Sequence, residues 1–387
     1  MVRVRELDIL RGVAILLVLC CHQSITDIFT RAGWSGVTLF FVLSGFLVSG
    51  LLFKEYQRSD NMRIGRFLIR RAIRIYPAFY VMLFATTIVA YFSSLPMPEP
   101  KWMGQSGLPL KNFLAEIFFL QNYHPGFWGQ CWSLAVEEHF YVLLAITFLL
   151  LFKRSRIQTF DVLPKLLVCA IIAVLALRCG IAIEKHPYNY YTHYAPTHLR
   201  IDAMLIGVLI SYYYHFKPEK YREFAKHKWL LFFGAVCFLF PCLVWSIESK
   251  LIYSVGFTTI AIGYGCLLML IVPAVECEHD RSFLFIGNPL AYVGRYSYSI
   301  YLWHRVVNEW ILAKLETNYG KLDYRVSFIL FILASIALGT MMQWLVEGPS
   351  LKLRDVLFPS DAPAVTESTV RQRIKAALVP RLATTTH

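Results

Sequence analysis

Ten apolar stretches, each near the ~20 residues that a helix needs to cross the hydrocarbon of a bilayer, dominate this chain. Inside a bilayer, backbone N–H and C=O groups find no water, so a spanning segment must satisfy them within its own helix. We therefore expect an all-α, polytopic membrane protein with about ten transmembrane helices. The stretches cover approximately residues 8–28, 34–53, 75–94, 133–152, 164–183, 199–216, 229–246, 254–275, 294–314 and 326–346.

Composition and charge agree with a membrane protein and argue against nucleic-acid binding. Of the 387 residues, 57% are hydrophobic and only 16% are charged, compared with roughly 25% charged residues in soluble domains. The net charge of +13 does not lie in one block. Its Lys and Arg residues form short clusters between apolar stretches, as cytoplasmic loops do. This alternation predicts that both termini lie in the cytoplasm.

The chain divides into a membrane part and a tail. Residues 5–355 contain all ten apolar stretches, whereas residues 356–387 are polar and basic and are expected to form a flexible cytoplasmic tail. The nine cysteines mostly lie in apolar stretches, without a CxxC pair or a metal-ligand spacing. We interpret them as small buried side chains, and we expect no metal.

The first apolar stretch carries the most informative spacing. Arg11 and His22 are eleven residues apart, which on a helix is within about 20° of three full turns and ~16 Å along the axis. Asp8 lies near the same face and can pair with Arg11. A histidine at membrane depth is costly unless it faces protein or water, and an uncharged imidazole is what a general base requires. The alternative is a histidine that only packs against a neighbouring helix.

A second motif, RFLIRRAIRIYP over residues 66–77, concentrates guanidinium groups at the predicted cytoplasmic boundary. Arg66, Arg70 and Arg74 recur every four residues, and Arg71 precedes Arg74 by three. Guanidinium groups bind phosphate oxygens bidentately, so Arg70, Arg71 and Arg74 are candidates to hold the nucleotide end of coenzyme A. A patch that binds anionic lipid is the alternative, and spacing alone does not choose between the two.

Other polar residues enter apolar stretches further along the chain. Glu137 and Glu138 lie within one turn of the start of a helix, where carboxylates either cap the helix or line a polar cavity. His304 lies inside a later apolar stretch. Arg200 and Asp202 are two apart, so each needs a partner from elsewhere. Aromatic residues in the two predicted outer loops, 95–132 and 184–198, suit either sugar stacking or an interfacial belt.

These motifs, taken together and in this order, resemble the acyltransferase 3 family of bacterial membrane O-acyltransferases, over nearly all of residues 5–355. The resemblance implies an enzyme that acylates a surface glycan such as lipopolysaccharide, exopolysaccharide or peptidoglycan. It also implies that His22 is the catalytic histidine, that Arg11 supports it, and that Arg71 and Arg74 match the Arg-x-x-Arg donor-site motif. It further implies the stand-alone form, without an appended SGNH-type domain. The matching segments are the Arg11–His22 spacing, RAIR at 71–74, WSLAVEEHFY at 132–141, RIDAMLIG at 200–207, SYSIYLWH at 297–304 and EGP at 347–349.

Our hypothesis is an inner-membrane O-acyltransferase that uses acetyl-CoA, or another acyl-CoA, as donor and a glycan or lipid-linked saccharide as acceptor. His22 either deprotonates the acceptor hydroxyl or carries the acyl group transiently, with Glu137 or Glu138 polarising it or lining the acceptor side. One rival is a proton-coupled transporter with an intramembrane His, Arg and Glu relay. Another is a structural partner of a glycan-export complex.

Overall fold

A computed structural model describes residues 5–23, 26–59, 62–93, 110–154, 161–185, 187–272 and 284–359. Within these ranges the chain is mostly helical, with short turns and loops between helices, and contains no β-strand, as the apolar stretches predict. Residues 360–387, which make up most of the predicted tail, lie outside the described ranges. The α-helices are α1 (Arg5–His22), α2 (Asp27–Gly33), α3 (Ser35–Ser59), α4 (Ile64–Ser93), α5 (Leu110–Ile117), α6 (Trp132–Arg154), α7 (Leu163–Glu184), α8 (Ile201–Phe216), α9 (Pro218–Lys226), α10 (Lys228–Val244), α11 (Phe257–Ile271), α12 (Leu284–Arg295), α13 (Ser297–Val306), α14 (Ala313–Tyr319), α15 (Tyr324–Met342) and α16 (Gly348–Leu357).

Six segments among the described residues are long and apolar enough to cross a membrane, and these make the protein a multi-pass membrane protein. A seventh is obtained if α9 and α10, which meet at an angle of 78°, count as one broken span. The six are Asp27–Ser59, Ile64–Ser93, Gly129–Leu151, Leu163–Glu184, Ile252–Ile271 and Tyr324–Leu357.

The predicted count of ten spans exceeds this number, although each predicted stretch falls largely on helix. The difference has physical causes. Helix α1 carries four charged residues near its start, α8 has 16 residues, and α13 has 10 residues before a π-helical segment follows. Ten spans and two cytoplasmic termini therefore stay predictions.

Helix α1 lies inside the bundle, where it packs against α12, α3 and α13. Its approach to α12 is close enough to require glycine on both helices. A Cβ atom at Gly12 would lie 2.2 Å from the carbonyl oxygen of Leu290, and one at Gly294 would lie 1.7 Å from that of Asp8. Because Gly12 follows Arg11 directly, this close contact fixes the backbone position from which the Arg11 side chain extends.

A buried polar network joins α7, α8 and α11. The Arg178 guanidinium, 1% exposed, donates to the carboxylate of Asp202 at 2.9 Å and to the carbonyls of Ser254 and Leu199 at 2.8 and 2.9 Å. Asp202 also accepts a 2.6 Å hydrogen bond from Thr258. The prediction that Asp202 needs a partner other than its near neighbour Arg200 is confirmed.

Arg200 has a different environment from Asp202. It donates to the hydroxyl of Thr38 at 2.9 Å, and its guanidinium carbon lies 4.0 Å from the ring centre of Phe257 and 4.8 Å from that of Tyr194. Contacts of this kind stabilise a buried cation through the negative face of an aromatic ring. The structure therefore accommodates Arg200 among aromatic rings of α11 and the 190–194 segment.

Candidate functional site

A cavity bordered by α1, α3, α4, α6 and α13 collects most of the predicted site residues. Arg11, Arg71, Arg74 and Glu137 all line it. The lining therefore carries three guanidinium groups and one carboxylate. The net positive charge of this lining favours an anionic ligand, since opposite charges stabilise one another strongly where water is scarce.

Arg71 reaches the cavity along an aromatic wall. Its guanidinium carbon lies 5.6 Å from the ring centre of Tyr141 and 5.9 Å from that of Phe67. Among the described residues neither Arg71 nor Arg74 forms an ion pair with a carboxylate. The Glu137 carboxylate acts on both arginines electrostatically, and both side chains border the cavity.

Glu137 is held on the opposite wall by hydrogen bonds. The Tyr141 hydroxyl, one helical turn further along α6, donates to its Oε2 at 2.6 Å. The Ser44 hydroxyl of α3 lies 2.9 Å from the Tyr141 oxygen. This chain fixes the carboxylate of Glu137 and links α3 to α6 across the cavity.

Arg11 is supported from within α1. Its guanidinium forms an ion pair with Asp8 at 3.2 Å, as the three-residue spacing predicts. Asp8 is buried, whereas Arg11 keeps part of its side chain exposed and lines the cavity. The pair therefore presents the cation to the cavity and keeps the carboxylate in the protein interior.

Glu138 faces away from the cavity. Adjacent residues on a helix point about 100° apart, and Glu138 is directed towards α4, where the Tyr76 hydroxyl donates to its Oε2 at 3.0 Å. It is not among the described residues that line the cavity. The structure thus separates two carboxylates that the sequence analysis treats as alternatives.

Arg70 also lies apart from Arg71 and Arg74. Its guanidinium binds the carboxylate of Asp355 at 3.1 Å and donates to the carbonyl of Phe358. Arg66, one turn earlier, donates to Glu55 at 2.8 Å and to the carbonyl of Pro359 at 3.3 Å. These two arginines attach the segment after α15 to α4, whereas the next two guanidinium groups of the motif enter the cavity.

His22 lies at the end of α1 and meets a second histidine there. Its ring centre is 4.8 Å from that of His304, with the rings inclined by 65°. His304 is fully buried and lies 282 residues later in the chain. The sequence analysis notes His304 but does not connect it with His22, because no spacing within one helix relates the two residues.

Tyr301 stands between the cavity and the histidine pair. Its side chain lines the cavity and donates to the carbonyl of Gln130 at 2.7 Å, and its hydroxyl oxygen is 2.6 Å from that of Ser133. His22 itself is not among the described lining residues. Because Tyr301 and His304 are three apart on α13, one helix face borders the cavity and then contacts His22.

The two outer aromatic loops contact each other. The rings of Tyr123 and His198, which come from different loops, stack with their centres 5.8 Å apart and an angle of 16° between them. Partial burial, and to a lesser degree the nearby charge of Lys185, lower the pKa of His198. Sugar stacking and an interfacial belt both remain compatible with this pair.

Comparison with known proteins gives bacterial relatives. The chain is similar to "Putative peptidoglycan O-acetyltransferase YrhL" of Bacillus subtilis, with 29% identity over 77% of this chain and 47% of that protein. It is also similar to "Peptidoglycan O-acetyltransferase OatA" of Listeria monocytogenes, with 28% identity over 78% of this chain and 49% of that protein. The chain thus spans about half the length of these relatives.

No solved structure matches the chain. The model of a protein family, described as an acyltransferase domain, matches residues 4–344. This range includes the cavity arginines, Glu137 and both histidines of the pair. With most of its length matched, the chain belongs to this acyltransferase family, the acyltransferase 3 family that its motifs resemble.

Proposed function

We propose that this chain is a multi-pass O-acyltransferase of the bacterial inner membrane that transfers an acetyl group from acetyl-CoA to a hydroxyl of a surface or lipid-linked glycan. The observation that carries the proposal is the cavity in which Arg11, Arg71 and Arg74 face one carboxylate. Coenzyme A carries three phosphate groups, and guanidinium groups are suited to bind them. The family match and the names of the relatives support acyl transfer as the reaction.

In the proposed complex, the donor enters from the predicted cytoplasmic side with its phosphates on Arg71 and Arg74. Arg11 lies on the α1 wall of the same cavity and stabilises the negative charge of the donor. The pantetheine arm then has to carry the thioester past Tyr301 to reach His22. The relatives are named for peptidoglycan, so oligosaccharides of peptidoglycan are the first acceptors to test.

The chemistry of the step follows from the environment of His22. Its Nδ1 lies 2.9 Å from the carbonyl oxygen of Val18, an atom that can only accept, so Nδ1 carries the ring proton and Nε2 has the free lone pair. Nε2 takes the proton of the acceptor hydroxyl, whose oxygen attacks the thioester carbonyl. The C–S bond breaks, and the leaving thiolate takes the proton from His22 to give coenzyme A.

A second route uses the same nitrogen as a nucleophile. His22 Nε2 then attacks the thioester first, coenzyme A leaves, and the acceptor hydroxyl attacks the acyl-imidazole. Both routes need an uncharged His22 and a donor held by the cavity arginines. The proposal covers both, and a burst of coenzyme A release without acceptor would favour the second.

The test is transfer of radiolabel from acetyl-CoA to glycan in vesicles that contain the purified protein. We expect the wild-type chain to label the glycan and His22→Ala to lose at least a hundredfold in rate, because general bases contribute about 10²–10⁴-fold. His227→Ala, which changes an exposed histidine at the start of α10, serves as the matched control and stays active. Full activity of His22→Ala would end the catalytic role, and a wild-type protein that labels no glycan would favour the transporter.

A further inference from the structure

His304 has an environment that packing alone does not explain. The side chain is fully buried, and its Nε2 has no hydrogen-bond partner among the described residues. A buried polar nitrogen without a partner is costly. The imidazole of His22 is an adjacent group, with the two ring centres 4.8 Å apart.

Both rings are held in the same tautomer by their own helices. The Nδ1 of His304 lies 2.6 Å from the carbonyl oxygen of Tyr301, and that of His22 lies 2.9 Å from the carbonyl oxygen of Val18. Carbonyl oxygens only accept, so each Nδ1 donates. Each Nε2 is therefore left with a lone pair, so the two adjacent rings offer two acceptor atoms and no ring donor for one another.

The two rings can form a hydrogen bond with each other only after one of the two Nε2 atoms is protonated. We propose that His304 is a positioning residue that accepts, at Nε2, a hydrogen bond from the Nε2–H of His22 after His22 has taken the proton of the acceptor hydroxyl. The inference rests on the proposed function and extends it. The proton stays within the pair until the C–S bond of the donor breaks, and it then passes from His22 to the leaving thiolate, so no net proton is consumed.

The surrounding charges do not supply a competing acceptor at this position. Arg305, the next residue on α13, acts electrostatically on both rings, and its guanidinium forms an ion pair with Glu309 at 2.7 Å. Glu316 of α14 reaches only the hydroxyl of Ser327, at 3.5 Å. Further titratable groups nearby, among the described residues, include Cys21 of α1 and Tyr301 of α13.

Two substitutions of His304 separate proton sharing from packing. In His304→Gln, the side-chain amide oxygen is placed near the position of Nε2 and can accept from His22, but the Nδ1 donor is lost. In His304→Asn, the amide nitrogen is placed near Nδ1 and can donate to the carbonyl of Tyr301, but the Nε2 acceptor is lost. Each variant therefore keeps one hydrogen-bonding function of the histidine: His304→Gln keeps the Nε2 acceptor and His304→Asn keeps the Nδ1 donor.

The measurement is the pH dependence of kcat for glycan acetylation by the full chain in vesicles. We expect His304→Gln to stay within about threefold of wild type. We expect His304→Asn to lose about tenfold in kcat at unchanged donor KM, because a hydrogen bond to a charged group is lost. The acidic limb of its profile should move about one pH unit lower, since the His22 cation is less stabilised. The reverse order, with Asn active and Gln impaired, would overturn the inference and assign His304 a structural role.

A measurement on the unmodified protein covers the case in which both variants fail to fold. NMR of ¹⁵N-histidine-labelled wild-type protein should show that His22 and His304 together bind one proton as the pH falls, with both Nδ1 atoms protonated throughout. Two independent protonations would contradict the pairing. An active wild-type enzyme and an inactive His22→Ala variant, measured alongside, show whether a failure concerns only this inference or the proposed function itself.

Discussion

Two groups of arginines lie in this bundle, one fully buried and one partly buried, and they differ in what surrounds them. Arg178 uses its guanidinium nitrogens within the protein, on Asp202, Thr258 and two backbone carbonyls. Arg71 and Arg74 border a cavity, and in the described part of the chain neither forms a direct ion pair, although the Glu137 carboxylate acts on both electrostatically. A cation in an apolar bundle must be compensated. The protein itself compensates Arg178 by direct contacts, whereas our proposal is that a ligand completes the compensation of Arg71 and Arg74.

The largest effect on stability is expected at Arg178, whose charge is compensated by other groups of the protein. Arg178→Leu leaves the carboxylate of Asp202 buried without its cation, and breaking such a pair costs about 3–5 kcal/mol. We expect loss of monodisperse protein in detergent, or a thermal transition lowered by many degrees, measured by fluorescence-monitored unfolding. The double variant Arg178→Leu with Asp202→Leu, which removes both charges, should recover part of the loss. An Arg178→Leu protein as stable as wild type would contradict the stabilising role of Arg178.

An intermediate effect is expected in the cavity, and on function rather than on folding. Arg71→Gln removes a cation that is not needed for an internal ion pair, so the thermal transition should stay near that of wild type. Charge-assisted hydrogen bonds contribute about 1.5–3 kcal/mol, so we expect the donor KM to rise about tenfold or more. Steady-state kinetics with varied acetyl-CoA and fixed glycan measure this, and an unchanged donor KM would favour the lipid-patch alternative.

The smallest effect is expected at Arg70, although it belongs to the same sequence motif. Its ion pair with Asp355 is partly exposed, and pairs of this kind contribute about 0–1 kcal/mol. Arg70→Gln should therefore leave the donor KM within about twofold of wild type and change the thermal transition only slightly. A donor KM that rises as much as in Arg71→Gln would mean that α16 moves aside and that Arg70 joins the cavity.

The sequence predicts those features that depend on short spacings. The helical class follows from the apolar stretches, and the Asp8–Arg11 pair follows from their separation of three residues. The grouping of Arg71 with Arg74 follows in the same way. The sequence also allows the prediction that Glu137 and Glu138 point in different directions, since neighbours on a helix point about 100° apart.

The remaining features depend on contacts between distant parts of the chain. The rings of His22 and His304 meet because α1 packs against α13. Arg70 lies apart from Arg71 and Arg74 because it binds the segment after α15, which packs back against α4. A single sequence carries no spacing signal for such contacts. Among the described residues, fewer than ten segments are long and apolar enough to span a membrane, because α1 carries four charged residues near its start and α8 and α13 are short.

The central claim is that the arginine-lined cavity binds the acyl donor. Equilibrium binding of radiolabelled acetyl-CoA to the purified wild-type protein, Arg71→Gln with Arg74→Gln, and Arg70→Gln tests it without need of an acceptor. We predict saturable binding to wild type and to Arg70→Gln, and binding at least tenfold weaker to the double variant at equal fold stability. Equal affinity in all three proteins would contradict the account.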